Sequence, residues 1–219
     1  MSAISWVTKI NPDKAILKGK AYHITKRIMD LALVIGSVIF TVPVIAVIAL
    51  MVKLTSPGGP VFFSQIRTGK GGRRFKMYKF RTMVPNAEEL KKELAHLNEL
   101  DWPDFKVTND PRITKVGNIL RKTSLDELPQ LLNVLAGDMS LVGPRPTSFS
   151  ADTYKIWHTE RLDVVPGLTG LWQIISRGES EFDDRLALDI TYINHRCLQL
   201  DIEILFRTIF AVLKQKGAK

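Results

Sequence analysis

Between Leu31 and Val52 the chain carries no charged residue and is rich in Leu, Ile, Val and Ala. At 1.5 Å rise per residue such a run makes a helix of about 30 Å, the thickness of a bilayer core. One element of the fold is therefore a helix that seeks lipid, and the rest must be built around where it enters and leaves. It is not a cleaved leader: the apolar run is too long, the segment before it too extended, and no small-x-small site follows. Pro43 lies near the middle, where it removes a backbone donor and bends a helix. Basic residues flank both ends, Lys18, Lys20, Lys26 and Arg27 before the run and Lys53 and Arg67 after it. The excess of positive charge that marks a cytoplasmic side thus favours neither end. The residues alone fit either a kinked span or a helix that enters, breaks at Pro43 and returns to the same face.

The remainder is an ordinary charged body. At 219 residues the chain has room for one good-sized domain, or one domain with appendages. A hydrophobic content of 45% beside 24% charged residues suits a strongly apolar segment attached to a polar domain. The net charge of +9 favours an anionic partner: lipid headgroup, nucleotide or nucleic acid. A single cysteine, Cys197, excludes an internal disulfide and a cysteine zinc site. It suits a reducing compartment and reads as a small buried hydrophobe.

Turn chemistry makes Thr55 to Pro60 a loop. Val61 to Ile66 and Phe75 to Phe80 read as the two strands of a small hairpin around the glycine-rich Thr68 to Gly72. That turn lacks the strand-then-helix frame of a phosphate loop or dinucleotide fingerprint. Asn86 to Asn98 reads as an exposed helix capped by Asn86. Asp101 to Lys115 is irregular, Gly117 to Arg121 a short helix, and Leu125 to Leu135 a second, closed by Gly137 in a left-handed cap. Thr147 to Arg161 is expected to be helical and Pro166 to Gly170 a turn. Phe182 to Arg196 and Ile202 to Leu213 show helical spacing, the last with Ile202, Leu205, Ile209 and Leu213 on one side. That helix packs on the body or lies on a membrane surface.

The chemistry concentrates in Ser124-Leu125-Asp126-Glu127-Leu128-Pro129-Gln130, which leads through Asn133 and Gly137-Asp138-Met139-Ser140 to Gly143-Pro144-Arg145-Pro146. Ser124-x-x-Glu127 has the form of a capping box, with the acids favoured by the helix dipole. That account uses Ser124 and Glu127 but leaves Asp126 a minor part and Arg145 none. A second account uses all of them. A carboxylate attacks phosphorus when cations neutralise the phosphate, and Mg²⁺ needs only one or two carboxylates beside substrate oxygens. Arg121 and Arg145 are the cations at hand, and Pro144 and Pro146 stiffen the backbone that presents Arg145. Lys79 and Arg81, ending the second strand, are further candidates for phosphate or interface contacts, or are surface charges on a strand edge. A membrane-tethered nucleic-acid binder would use the positive charge and the stacking surfaces of Trp102, Trp157 and Trp172, but acids without a metal would repel its phosphates. A non-catalytic membrane scaffold would not need the Asp126-Glu127 pair.

On these residues the chain resembles the bacterial sugar transferases, the monotopic phosphoglycosyl transferases. The likeness runs from Lys26, Arg27 and Asp30 to Pro43, from Gly59-Pro60 to Phe75-x-x-Tyr78-Lys79-Phe80-Arg81-Thr82-Met83, and from Arg121 to Pro146. It continues through Pro166-Gly167-x-Thr169-Gly170-x-x-Gln173 and Arg177 to Asp189, Tyr192 and Asp201. The resemblance implies an α+β, mostly helical fold: an N-terminal segment 1–23, a re-entrant helix 24–53 broken at Pro43, and a cytosolic and interfacial catalytic domain 54–219 with a small β-hairpin and amphipathic helices. It implies Lys26 and Arg27 at the membrane interface, Asp126 as nucleophile, Glu127 as the Mg²⁺ ligand, and Arg121 and Arg145 on phosphate groups. The expected reaction moves a sugar 1-phosphate from a UDP-sugar to undecaprenyl phosphate through a phosphosugar-aspartyl intermediate, releasing UMP. The expected setting is the cytoplasmic face of a bacterial inner membrane, in surface-glycan synthesis. The implied partners are UDP-sugar, polyprenyl phosphate and the bilayer; nucleic acid is not among them, and no motif decides for or against a homo-oligomer. Two positions depart from the family. Val42 stands where a serine often precedes the proline, with Thr41 or Ser37 placed to substitute. Val165 stands where a basic residue often precedes Pro-Gly, so a phosphate contact made there is missing, with Arg177 as a candidate to compensate.

Overall fold

The computed structural model describes residues 4–99, 107–150, 156–175 and 182–213. After a single turn, α1 (Ser5–Thr8), comes the helix α2 (Gly19–Thr55), then an antiparallel hairpin of β1 (Phe62–Thr68) and β2 (Arg74–Phe80). The short helices α3 (Ala87–Glu93), α4 (Lys115–Thr123) and α5 (Leu131–Ala136) follow. A second small sheet joins β3 (Ser140–Val142) to β4 (Gly167–Thr169), and α6 (Leu171–Ile175), α7 (Phe182–His195) and α8 (Leu198–Leu213) complete the body. The fold is mostly helical, as expected, with one long apolar helix and a small antiparallel sheet.

Three expectations need correction. Pro166 to Gly170 is more than a turn: Gly167–Thr169 pairs in parallel with Ser140–Val142. Three-residue strands buried on both faces carry no alternating pattern, so periodicity does not reveal them. Thr147, placed in a helix, instead bridges Thr68 in the hairpin, and the described helical part of that stretch is the 3-10 helix Ile156–Asp163. Asn86 occupies the position before α3, but its side chain makes no capping bond.

Helix α2 runs unbroken through Pro43. Proline removes the bond to the Ile39 carbonyl. Ser37 does not replace it, since its hydroxyl donates to Val34 O at 2.8 Å, a turn earlier. The two ends of α2 dock on the body and the middle does not. Near the start, Tyr22, Asp30 and Val34 are buried, and near the end Ile48 and Val52. Between residues 35 and 47 none is buried; Ile39 and Phe40 are 73% and 75% exposed.

Polar bonds secure the first end. Asp201 on α8, fully buried, accepts from Tyr22 Oη at 2.9 Å and Tyr192 Oη at 2.7 Å, with Lys26 Nζ at 3.0 Å. Arg27 donates to the carbonyls of Val134 (2.6 Å) and Leu135 (2.9 Å) in the last turn of α5, the first of which also accepts from the Gly137 amide at 3.1 Å. Asp30 accepts from Ser140 Oγ at 2.7 Å and from the Leu141 amide at 3.3 Å. Val34 joins the main core with Met77, Val134, Met139, Leu171, Leu200 and Ile204. The far end belongs to a smaller cluster with Phe80, Val116 and Leu120.

Asn133 ties the helical layer to the hairpin. Its side chain accepts from the Tyr78 amide at 3.1 Å and donates to the Lys76 carbonyl at 2.7 Å, serving β2 as a third strand would. Asn133→Ala would leave two backbone groups without partners. A loss of about 1–3 kcal/mol in stability is expected, read as a lower denaturant midpoint.

Candidate active site

The second strand of the hairpin and the segment after α4 meet at the acids. Helix α4 begins with Thr114, whose hydroxyl accepts from the Gly117 amide at 2.9 Å. It packs so closely on the strand end that a Cβ at Gly117 would lie 2.0 Å from the Thr82 carbonyl oxygen. The helix ends at Ser124, which is left-handed (φ 60°), and the 3-10 helix Leu125–Gln130 starts there. This removes the capping box. A left-handed Ser124 makes no side-chain capping bond to the helix after it, and the Glu127 carboxylate faces the other way. The helix read over Leu125 to Leu135 is this 3-10 segment followed by α5, closed as expected by left-handed Gly137 (φ 84°).

Glu127 accepts on both oxygens, with one further lone pair left on Oε2. Lys79 Nζ lies 2.8 Å from its Oε1, Arg145 Nη1 donates to Oε2 at 3.0 Å, and Arg145 Nη2 donates to Oε1. Burial would raise its pKa, but Arg145 and then Lys79 override that and hold the carboxyl well below the usual range. Asp126, next to it, is the more buried of the two but less engaged. Its nearest cation is Lys79 at 3.9 Å, and none of the described residues hydrogen-bonds its carboxylate. Burial raises its pKa above the ordinary carboxylate value and Glu127 adds to the rise, against the opposing pull of Lys79, Arg145 and Arg121. The pair is therefore divided: one acid is locked as an anion in a cationic cradle, and the other is more basic, with only the longer Lys79 contact among the described residues.

Arg121 stands behind Asp126, its Nε donating to Thr82 Oγ1 at 2.9 Å. Burial lowers its pKa, and Asp126 partly restores it. Arg81 points elsewhere. It is buried, donates to the Ser56 carbonyl at the end of α2, and forms no ion pair with either acid. A Cβ on Gly59 would lie 1.7 Å from Arg81 Nη1, so Gly59 makes room for this guanidinium. Lys26 and Arg27, expected at the interface, face inward onto Asp201 and α5. Pro43 is in the exposed middle of α2. Arg177 lies outside the described residues. Val165 does not face the carboxylates but lines a cavity of about 220 Å³ with Tyr22, Lys26, Arg27 and Arg196.

Two supports of the site were missed by the sequence reading. Asn133 sits in the central motif, but its bond to β2 needs the tertiary structure. Arg161 was read only as the end of a helix; it is 8% exposed and donates to the Arg145 carbonyl at 2.6 Å. A lone arginine gives no local signal of burial.

Among the described residues no group of three or more His, Cys, Asp or Glu forms a metal cluster. Mg²⁺ does not need one, being held by one or two carboxylates with water and substrate phosphates. Ionised Glu127 beside Asp126 meets that requirement, and both are oxygen donors. The donor set fits.

An apolar helix long enough to cross a membrane, docked beside an acid pair in a cationic cradle, describes a helix-anchored protein built around an anionic group. The chain belongs to the bacterial sugar transferase family, whose sequence model matches residues 21–215. It is 44% identical, over 92% of its length, to an undecaprenyl-phosphate galactose phosphotransferase of Salmonella typhimurium, and covers 43% of that protein. It is 40% identical to the UDP-glucose:undecaprenyl-phosphate glucose-1-phosphate transferase of Escherichia coli, with 90% of this chain and 42% of that protein covered. The exopolysaccharide production protein ExoY of Sinorhizobium fredii is 40% identical, with 89% of this chain and 88% of that protein covered. The chain thus spans less than half the length of the first two relatives.

Proposed function

We propose that the protein transfers a sugar 1-phosphate from a UDP-sugar to undecaprenyl phosphate. The single observation that carries this reading is the division of labour between Asp126 and Glu127. Asp126 attacks the phosphorus that bears the sugar. An oxygen–phosphorus bond forms to its carboxylate as the bond to the UMP oxygen breaks, and UMP leaves. A phosphate oxygen of the lipid then attacks the same phosphorus, and the carboxylate is released. Both steps need one anionic-group pocket, which Lys79, Arg121 and Arg145 supply. Mg²⁺ on Glu127 would neutralise charge on the donor's pyrophosphate. The relatives' names support the donor and acceptor classes.

The membrane reading is a helix that enters and returns on the cytoplasmic face of the inner membrane. Its support is the docking pattern of α2. In a straight helix Arg27 and Val52 would stand about 37 Å apart, yet both contact one body while the residues between them project from it. A bend at Pro43 would let both ends reach one body while the middle stays exposed. On α8 the exposed Ile202, Phe206, Ile209 and Leu213 form an apolar stripe suited to the interface.

The decisive experiment is UMP release from a panel of UDP-sugars with and without polyprenyl phosphate, in detergent, with and without EDTA. Lipid-dependent release abolished by EDTA is expected. Absence of release with every donor would sink the reading. The acid limb of the pH profile gives a further test. The nucleophile works only as an anion, and its pKa is raised, so activity is lost as pH falls through a value above the usual carboxylate range. Lys79→Met removes a charge that lowers that pKa and should move the limb to still higher pH.

A further inference from the structure

The two prolines do not finish the task of fixing Arg145. They restrict their own φ and the residue before each, while the chain around them must still be seated. The β3–β4 pairing seats it as far as Pro144: Ser140 N donates to Pro166 O at 2.8 Å, Gly143 N to Thr169 O at 2.9 Å, and Gly167 N to Pro144 O at 2.8 Å. The contact is so close that a Cβ on Gly167 would lie 2.0 Å from the Gly143 amide nitrogen. The next carbonyl, that of Arg145 itself, has no strand partner. It accepts from Arg161 Nη2 at 2.6 Å, and the same nitrogen donates to Asp189 Oδ2 on α7 at 2.7 Å. Asp189 is 1% exposed, and its other oxygen has no hydrogen-bond partner.

A buried ion pair of this kind is a poor source of stability, because desolvation offsets the Coulomb gain. Burial raises Asp189 to about 7 even with Arg161 beside it. What the pair does supply is a fixed place for one backbone carbonyl directly beneath the guanidinium that grips Glu127. We infer that Arg161 and Asp189 are positioning residues for Arg145, acting on the reaction through its backbone and never through the phosphates. The inference rests on the proposed transferase reading for its kinetic consequences, and on geometry alone for its structural one.

One nitrogen makes both contacts, so a side chain with a single donor at that depth should serve. Arg161→Met keeps the bulk and removes the donor; Arg161→Lys keeps a donor. Arg161→Met is expected to lower kcat for UMP release about 10- to 100-fold, the range for losing a hydrogen bond to a charged group, with KM for the UDP-sugar changed less than about threefold. Arg161→Lys should recover most of the loss. In an Arg145→Ala background, followed by radiolabel, Arg161→Met should cost nothing further, because the side chain it positions is gone. Equal losses in both backgrounds would show a general structural effect and overturn the inference. Peptide-resolved hydrogen exchange reads it without any activity: Arg161→Met should speed exchange over 143–150, with the Thr68 amide that donates to Thr147 O, and leave residues 62–66 and 75–80 unchanged. Unchanged exchange over 143–150 would overturn the inference even in an active enzyme. Wild-type protein that releases no UMP would instead remove the transferase reading, leaving the exchange result to judge the positioning role. Asp189→Asn, which keeps an acceptor, is the milder second variant, and about a threefold loss in kcat is expected.

Discussion

Asp126→Asn is expected to lower turnover by at least about 10⁴-fold and to abolish covalent labelling by a UDP-sugar carrying radioactive phosphate beside the sugar. The amide is nearly the same size, so the fold should persist and the unfolding midpoint should move little. What it lacks is the anion. Lys79, 3.9 Å away, cannot substitute, since it is an ammonium already 2.8 Å from Glu127. Glu127 cannot substitute either: Arg145 and Lys79 occupy both its oxygens and hold its pKa low, which makes it a weak nucleophile. The two acids are thus not interchangeable, and Glu127→Gln should slow the reaction while leaving a labelled intermediate detectable. Labelling that survives Asp126→Asn would remove the nucleophile assignment and leave Glu127 as the next candidate.

Asp201→Leu is expected to cost about 3–5 kcal/mol, the usual penalty for stranding a buried charge. The carboxylate is fully buried and holds Tyr22, Lys26 and Tyr192 together. Its loss leaves Lys26, whose side chain is only 12% exposed, without its ion-pair partner, removes the acceptor of Tyr22 Oη, and leaves Tyr192 Oη only the longer bond to Val142 O at 3.3 Å. Those partners belong to α2 and α7, so the damage should be directional. The start of α2 should loosen from the body before the hairpin does. Limited proteolysis in detergent should cut near residues 15–25 in the variant and not in the wild type, alongside a lower unfolding midpoint. A variant that melts normally and resists cleavage would show that the apolar contacts of Val34 suffice to dock the helix.

The hairpin, the long helix and the α7 and α8 helices were legible because each carries its own periodicity or turn chemistry over enough residues to be distinctive. That Asp126, Glu127 and Arg145 belong together was legible, since adjacent acids followed by a proline-flanked arginine are costly to explain otherwise, and the structure brings them to one place. Ser124 was misleading. Local rules make it a helix cap, while the turn from α4 into the 3-10 helix needs it left-handed, and the cap is lost. Arg81 misled in the same way: two residues from Lys79 and one past the end of β2, it is diverted onto the Ser56 carbonyl.

From the sequence by itself came the kinds of groups present and their order along the chain: an apolar helix carrying a central proline, a basic body, and an acid pair near a stiffened arginine. Only the tertiary structure decided which acid is free. Adjacent carboxylates look alike in a sequence, and what separates Asp126 from Glu127 is the arrival of Lys79 from β2 and Arg145 from beyond β3. Such contacts join residues 48 and 18 positions apart, and no local propensity encodes which side chain a distant cation will choose.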